Sequence, residues 1–99
     1  MIYRLRVYQS LPENTEIFTA FFREHLLPVQ LKHGAKLVGR WLTENHRVVA
    51  IWCYDSMAEY ERIQAAVATD PDSLLAQELR KTMPILFTAM EESFMEWAG

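Results

Sequence analysis

The sequence has 99 residues and a mass of 11.6 kDa, which is the usual size of one domain, so we expect a single domain over residues 1–99. Its 51% hydrophobic and 23% charged residues exclude a disordered chain, and its net charge of −3 argues against a nucleic-acid-binding surface. The single cysteine, Cys53, cannot form an internal disulfide, and no apolar run approaches the roughly 18 residues of a membrane-spanning helix, so we expect a cytoplasmic protein without a membrane partner.

The first third of the chain predicts a strand followed by a long helix. Residues 2–8 alternate in polarity as a strand does, and residues 15–32 show a helical period. His25 falls near the centre of the apolar helix face, and Pro28 should kink the last turns because it has no N–H to donate. Gly34 suits a left-handed cap. The apolar face of the helix comprises Ile17, Phe18, Phe21, Phe22 and Val29.

The middle of the chain predicts a β-hairpin. Residues 36–43 and 47–54 read as strands around the polar turn 44–46. If Trp41 lies opposite Ala50, three aromatic side chains share one face of the hairpin and three other apolar side chains share the opposite face. The first set is Trp41, Trp52 and Tyr54, and the second is Val49, Ile51 and Cys53.

The last third predicts helices and a final strand. Ser56 and Glu59 form a capping box that opens a helix, and Asp70 followed by proline favours a new helix start. That second helical piece should run to about Lys81, and residues 86–97 should form the last strand. The order of elements is typical of the α+β, ferredoxin-like βαββαβ sandwich, in which a four-stranded antiparallel sheet carries both helices on one face.

The opposite face of such a sheet would be left exposed and apolar, which normally marks an interface. A second copy of the chain is the simplest cover, and two sheets packed face to face form a dimeric α+β barrel. Residues 1–50 carry seven Lys and Arg against four Asp and Glu, whereas residues 51–99 carry three against nine. We therefore expect the basic second strand of one copy to meet the acidic last strand of the other. The charges concerned are Lys36 and Arg40, and Glu91, Glu92 and Glu96.

Four segments, in this order and spacing, resemble the NIPSNAP family of dimeric α+β barrel proteins. They are residues 1–8, 26–29, 32–41 and 48–56. The resemblance implies a ferredoxin-like subunit and a homodimer, but little about activity, because bacterial members are mostly without assigned function. Members often carry histidine at the position of Ala50, so this chain lacks any role that depends on that imidazole.

Six residues are candidates for binding a small molecule between helix and sheet: His25, Arg6, Arg40, Trp41, Trp52 and Tyr54. His25 is a titratable group on an apolar face, so it must either hydrogen-bond within the core or serve a pocket. Arg4 and Arg6 share a strand face with Tyr8, and either they pair with the acidic half of the chain or a guanidinium holds an anionic or carbonyl-bearing ligand. The aromatic residues can equally be simple core.

Metal and cofactor sites are not expected. The three histidines lack any standard ligand spacing, Cys53 stands alone on an apolar strand, and three glycines cannot form a phosphate-binding loop. No catalytic residue is identified from the sequence.

The sequence therefore leaves three hypotheses. The first is a homodimer that binds a small apolar or aromatic molecule, with monooxygenase or isomerase chemistry that needs no cofactor. The second is a dimeric binding or interaction module without catalysis, and the third, weaker one is a haem-binding barrel, which a Soret shift on adding haemin would reveal. Fold alone does not choose among them.

Overall fold

A computed structural model describes all 99 residues and confirms the α+β, ferredoxin-like fold. The strands are antiparallel and lie in the order β2-β3-β1-β4, as that fold requires. They are β1 (Ile2–Ser10), β2 (Lys36–Leu42), β3 (Arg47–Tyr54) and β4 (Phe87–Met95). The helices are α1 (Thr15–Phe21), a π-helical turn (Phe22–Leu26), α2 (Leu27–Lys32), α3 (Met57–Thr69) and α4 (Pro71–Arg80), and a 3₁₀ turn (Pro12–Asn14) precedes α1. None of these helices is long and apolar enough to cross a membrane.

The helix ends follow the sequence signals. The Ser56 hydroxyl accepts a hydrogen bond from the Glu59 backbone N–H at 3.1 Å, which caps α3. The Asp70 carboxylate accepts one from the Asp72 N–H at 2.8 Å and caps α4. Gly34 has φ +104°, where a side chain would be strained, so the turn after α2 needs glycine.

Pro28 alters the first helix more strongly than the predicted kink would. The helical segment is continuous from α1 through α2, which we call the first helix, but it widens into a π turn over Phe22–Leu26. Within this turn the Leu27 N–H donates to the Phe22 carbonyl, five residues back. Pro28 has no N–H for the Glu24 carbonyl, so the α-helical ladder is already broken where the wider turn occurs.

The hairpin register is one residue away from the predicted one. The Thr43 N–H donates to the Arg47 carbonyl at 2.8 Å, which closes a three-residue loop with His46 at φ 60°. This loop places Trp41 opposite Val49. Because successive side chains alternate between faces, Trp41 lies on the face away from the helices. The prediction that it shares a face with the other two aromatic residues of the hairpin is wrong.

The same register turns Arg40 inward. Arg40 lies opposite Ala50 on the helix-facing side of the sheet, and Glu92 on β4 lies opposite Arg6 on that side too. Neither side chain is therefore free to form the predicted pairing between subunit edges. The expectation that Arg40 and Glu92 contribute to it is wrong, because Arg40 donates to Thr19 and Glu92 pairs with Arg4 of the same chain. Lys36 keeps its exposed position, 4.0 Å from Asp55 of the same chain.

Two separate apolar clusters hold the helices on the sheet. One contains Phe18, Phe21, Val48, Ala76 and Leu86, and the other contains Ala35, Trp52, Tyr54 and Ile63. The helices cover only this side. The other side, which we call the open face, carries apolar side chains from β1, β2 and β3, and they include Leu5, Val7, Trp41, Val49 and Ile51.

An ionic cluster joins the end of the first helix to the junction between α3 and α4. The Asp70 Oδ2 atom lies 2.6 Å from Lys32 Nζ and 2.7 Å from His33 Nε2. The hydrogen bonds from Lys32 and His33, together with that from the Asp72 N–H, hold the pKa of Asp70 well below its ordinary value of 3.8.

We predict that this carboxylate contributes its full stabilisation above about pH 4 and progressively less below it. A lowered folded-state pKa adds stability above the unfolded pKa, and that stability is lost as the pH falls through the folded value. Asp70→Asn keeps a helix-capping side chain but removes the charge. The difference in free energy of unfolding between wild type and variant, measured with urea, should be largest near pH 7 and shrink toward pH 2. The exposed Asp55→Asn serves as control, and a difference that grows in acid would contradict the prediction.

Candidate functional site

A cavity of about 430 Å³ lies between the first helix, α4 and the helix-facing side of the sheet. Most of its wall is apolar and comes from both layers, with Phe21, Leu26 and Val29 on the first helix and Trp52 on the sheet. The polar groups at the wall include four arginines, Arg4, Arg6, Arg40 and Arg80, but no aspartate or glutamate. The cavity therefore combines an apolar wall with cationic groups.

One row across the sheet forms the floor of the cavity. Strand pairing aligns Glu92, Arg6, Ala50 and Arg40 side by side on β4, β1, β3 and β2. Neighbouring strands are about 4.8 Å apart, so the two arginines flank the small Ala50 side chain from both sides. Ala50 lines the cavity between them.

Arg4 is satisfied within the protein. Its side chain is 9% exposed, its Nε donates to the Glu92 carboxylate, and its guanidinium lies 5.2 Å from the centre of the Tyr60 ring. Burial alone would lower the pKa of Arg4, but the hydrogen bond to Glu92 and the nearby Tyr54 hydroxyl raise it above its ordinary value. Arg4 is thus a structural ion pair at the edge of the cavity.

Arg6 is only partly satisfied. Its Nε atom is 3.9 Å from the Glu92 carboxylate, beyond hydrogen-bond distance, and is buried without a partner. Its Nη2 atom lies 3.7 Å from the Met90 sulfur, which is a weak acceptor. Burial raises the pKa of the adjacent Tyr8 hydroxyl, against the opposing effect of Arg6 and Arg4. Tyr8 is therefore neutral, and it does not offset the charge of Arg6.

Arg40 has no acidic partner. Its Nη1 donates to the Thr19 hydroxyl at 2.8 Å, while its Nη2 is buried and makes no hydrogen bond. The guanidinium lies 4.9 Å from the centre of the Phe18 ring and 4.8 Å from that of Phe22, so two aromatic faces hold the charge in place. Burial lowers the pKa of Arg40 from its ordinary value, but arginine stays protonated at neutral pH.

His25 lies in the π turn and lines the cavity. Its ring is 5.6 Å from that of Phe21, and its Nε2 atom is 4.0 Å from the Glu24 carboxylate. Its side chain is 34% exposed, and it makes no hydrogen bond to a backbone carbonyl or a strand hydroxyl. The imidazole is therefore free of the structural hydrogen bond that a core histidine needs.

The three aromatic candidates lie in different parts of the structure. Trp52 lines the cavity and meets Phe22 edge-on at 6.0 Å. Tyr54 is buried in the Ile63 cluster against Tyr60, outside the cavity wall. Trp41, on the open face, is also outside it, so its predicted position in the cavity is wrong because of the hairpin register.

Sequence reasoning missed Arg80, Gln30 and Thr19. Arg80 reaches the cavity from the last turn of α4, Gln30 lines it from α2, and Thr19 orients Arg40. Such residues are normally solvent-exposed on helices, and no local pattern distinguishes them. No group of three or more His, Cys, Asp or Glu side chains is placed to hold a metal ion.

Comparisons with known proteins identify the fold and a family. A family model described as NIPSNAP matches residues 3–98. The crystal structure of an uncharacterized NIPSNAP domain protein from Burkholderia xenovorans is similar with a TM-score of 0.84 and 20% identity, over 99% of this chain and 95% of that one. A NIPSNAP family protein with unknown function from Agrobacterium tumefaciens gives 0.83 and 22%, over 99% and 88%. A putative antibiotic biosynthesis monooxygenase from Nitrosomonas europaea gives 0.69 and 10%, over 98% of both. No curated protein matches.

We predict that His25→Ala leaves the fold nearly as stable as wild type. The side chain makes no hydrogen bond to the protein scaffold, so the free energy of unfolding in urea should change by less than about 1 kcal/mol. Phe21→Ala, one turn earlier and buried, should cost about 3–5 kcal/mol and serves as the control. A loss of about 2 kcal/mol or more for His25→Ala would show that the histidine is structural.

Proposed function

The chain belongs to the NIPSNAP family, and we propose that it is a homodimeric protein that binds a small apolar or aromatic molecule in the cavity between its helices and its sheet. The cavity itself carries the proposal. Its volume of about 430 Å³ lies within the range of roughly 300–1,000 Å³ that is usual for small-molecule sites. Its apolar wall with a few polar groups also has the composition of such sites.

The wall favours a flat, apolar body in the ligand. Trp52 and Phe22 present ring surfaces on the sheet and the first helix, and Leu26 and Val29 extend the apolar wall along that helix. Aromatic rings of this kind pack against a planar molecule over a large area at little entropic cost. The binding energy should come mainly from this wall.

The position of His25 makes catalysis the next property to test. It is the imidazole at the cavity wall and makes no hydrogen bond to the scaffold, so it is available as an acid or base. The fold is shared with a putative antibiotic biosynthesis monooxygenase, which favours monooxygenase or isomerase chemistry without a cofactor as the first reactions to assay. At 10% identity that likeness shows the fold alone.

The open face supports the homodimer. Trp41 is 50% exposed and lies beside Val49 of β3, which pairs in turn with Val7 of β1. A second copy that packs its own open face here would bury both sets and form the barrel. The free thiol of Cys53, buried at 8% exposure, agrees with the reducing cytoplasm as the proposed location.

We predict that filling the cavity at Ala50 abolishes binding of a neutral apolar probe. The solvatochromic dye prodan should bind the wild type with a blue-shifted emission, and Ala50→Leu should weaken its binding about 10-fold or more, because the larger side chain occupies the floor. Ala58→Leu, on the exposed start of α3, is the matched control and should bind like wild type. Equal affinity for all three proteins would place the probe outside the cavity. Native mass spectrometry of the purified wild type would then identify any natural ligand.

We also predict a dimer that depends on the open face. Analytical ultracentrifugation should give a mass near twice 11.6 kDa, and high salt should leave it unchanged because the contact is mainly apolar. Trp41→Glu should weaken association, since it places a charge in the buried contact. Leu75→Glu, at a 57% exposed position of α4, should not. A wild-type monomer at micromolar concentration would contradict the interface.

A further inference from the structure

The cavity wall carries cationic groups as well as apolar ones. Of the four arginines at its wall, Arg4 is paired with Glu92, and the wall itself contributes no acid. The single negative charge of Glu92 cannot neutralise all four arginines. A buried cation without a counter-ion is costly, and a bound anion removes that cost.

Two of these arginines have a donor that makes no hydrogen bond within the protein. The Nε of Arg6 and the Nη2 of Arg40 are both buried without a hydrogen-bond partner, and the two residues flank Ala50 in one row of the sheet. Buried N–H groups in folded proteins are nearly always paired, so an unpaired donor on each of two cavity-lining arginines calls for an acceptor. Thr19 and the two Phe rings hold the Arg40 guanidinium in position before any ligand arrives.

We propose, on the basis of the proposed function, that the cavity selects aromatic or apolar carboxylic acids, with the carboxylate held over Ala50 between Arg6 and Arg40. The planar carboxylate matches the guanidinium, which can donate two parallel hydrogen bonds to it. The apolar body of the ligand extends from there toward Trp52 and Phe22, which meet edge-on at the cavity wall. Arg40 is the main anchor, because no acid competes for it.

Phosphate is a weaker fit than carboxylate. The row that carries both arginines also carries Glu92, 3.9 Å from the Arg6 guanidinium, and this fixed negative charge repels a dianion more than a monoanion. The Phe18 and Phe22 rings also flank the Arg40 guanidinium, so it is not part of a wide basic surface. A singly charged, planar head group satisfies both conditions.

The test compares three ligands with one aromatic body: 1-naphthoate, the neutral 1-naphthamide and 1-naphthyl phosphate. Isothermal titration of the wild type should show 1-naphthoate binding about 10-fold or more tightly than the amide, as expected for hydrogen bonds to a charged group. The phosphate should bind more weakly than the carboxylate. Equal affinity for acid and amide would overturn the proposal, and tighter binding of the phosphate would overturn its carboxylate assignment.

Two variants assign the preference to residues. Arg40→Met keeps an apolar stem between the two Phe rings but removes the donors, so the preference for the acid over the amide should fall to about 3-fold or less. Arg47→Met, at an exposed position of β3 outside the cavity, should keep the full preference. A preference that survives Arg40→Met unchanged would refute the anchoring role, and circular dichroism would check that the variants are folded.

These outcomes also separate this inference from the proposed function. If acid and amide bind equally and Ala50→Leu abolishes both, the cavity binds small molecules but does not select an anion. If no member of the series binds, or if Ala50→Leu leaves binding unchanged, the cavity is not the binding site and both proposals fail.

Discussion

The burial of arginine side chains under the helices is the constraint on which the rest of the structure depends. The central row of the sheet carries Arg6 and Arg40 on either side of Ala50, and these charged groups cannot pack as hydrocarbon does. The apolar core is consequently divided into one cluster around Phe18 and another around Ile63. The cavity lies between the helices and the sheet, and residues of both clusters contribute to its wall.

Each buried guanidinium uses a different compensation, and the differences define the site. Arg4 has a carboxylate partner in Glu92, so its charge is neutralised within the protein. Arg40 has a hydroxyl and two aromatic rings, which orient it and lower the cost of burial without neutralising it. An ion pair stabilises the fold, whereas an oriented cation without a counter-ion can still bind an anion. The asymmetry between the two arginines is therefore what turns a gap in the core into a candidate site.

The sequence predicts the helices and strands well, but it predicts less well which face of the sheet each side chain occupies. Strand and helix order, the caps at Ser56 and Asp70 and the glycine at position 34 follow from local chemistry, which a sequence shows directly. The face of each β2 residue depends instead on the three-residue turn closed by Thr43 and Arg47, and the same apolar pattern is compatible with a register one residue away. For this reason Trp41, a predicted cavity residue, lies on the open face, whereas Arg40, predicted both as a ligand-binding candidate and as a subunit-edge charge, lies at the cavity. The pairing of Arg4 with Glu92 spans 88 positions of sequence, beyond the reach of any local pattern.

Strand β2 connects the two surfaces of the sheet. Neighbouring residues on it serve opposite sides, since Arg40 reaches into the cavity and Trp41 lies on the open face. As an edge strand it is hydrogen-bonded on one side only, to β3, and a bulge between Leu37 and Gly39 interrupts that pairing. A partner packed on Trp41 would restrain the strand and, through the shared backbone, the position of the Arg40 guanidinium. In the proposed dimer, the subunit contact and the anchor of the binding site therefore lie on neighbouring residues of one strand.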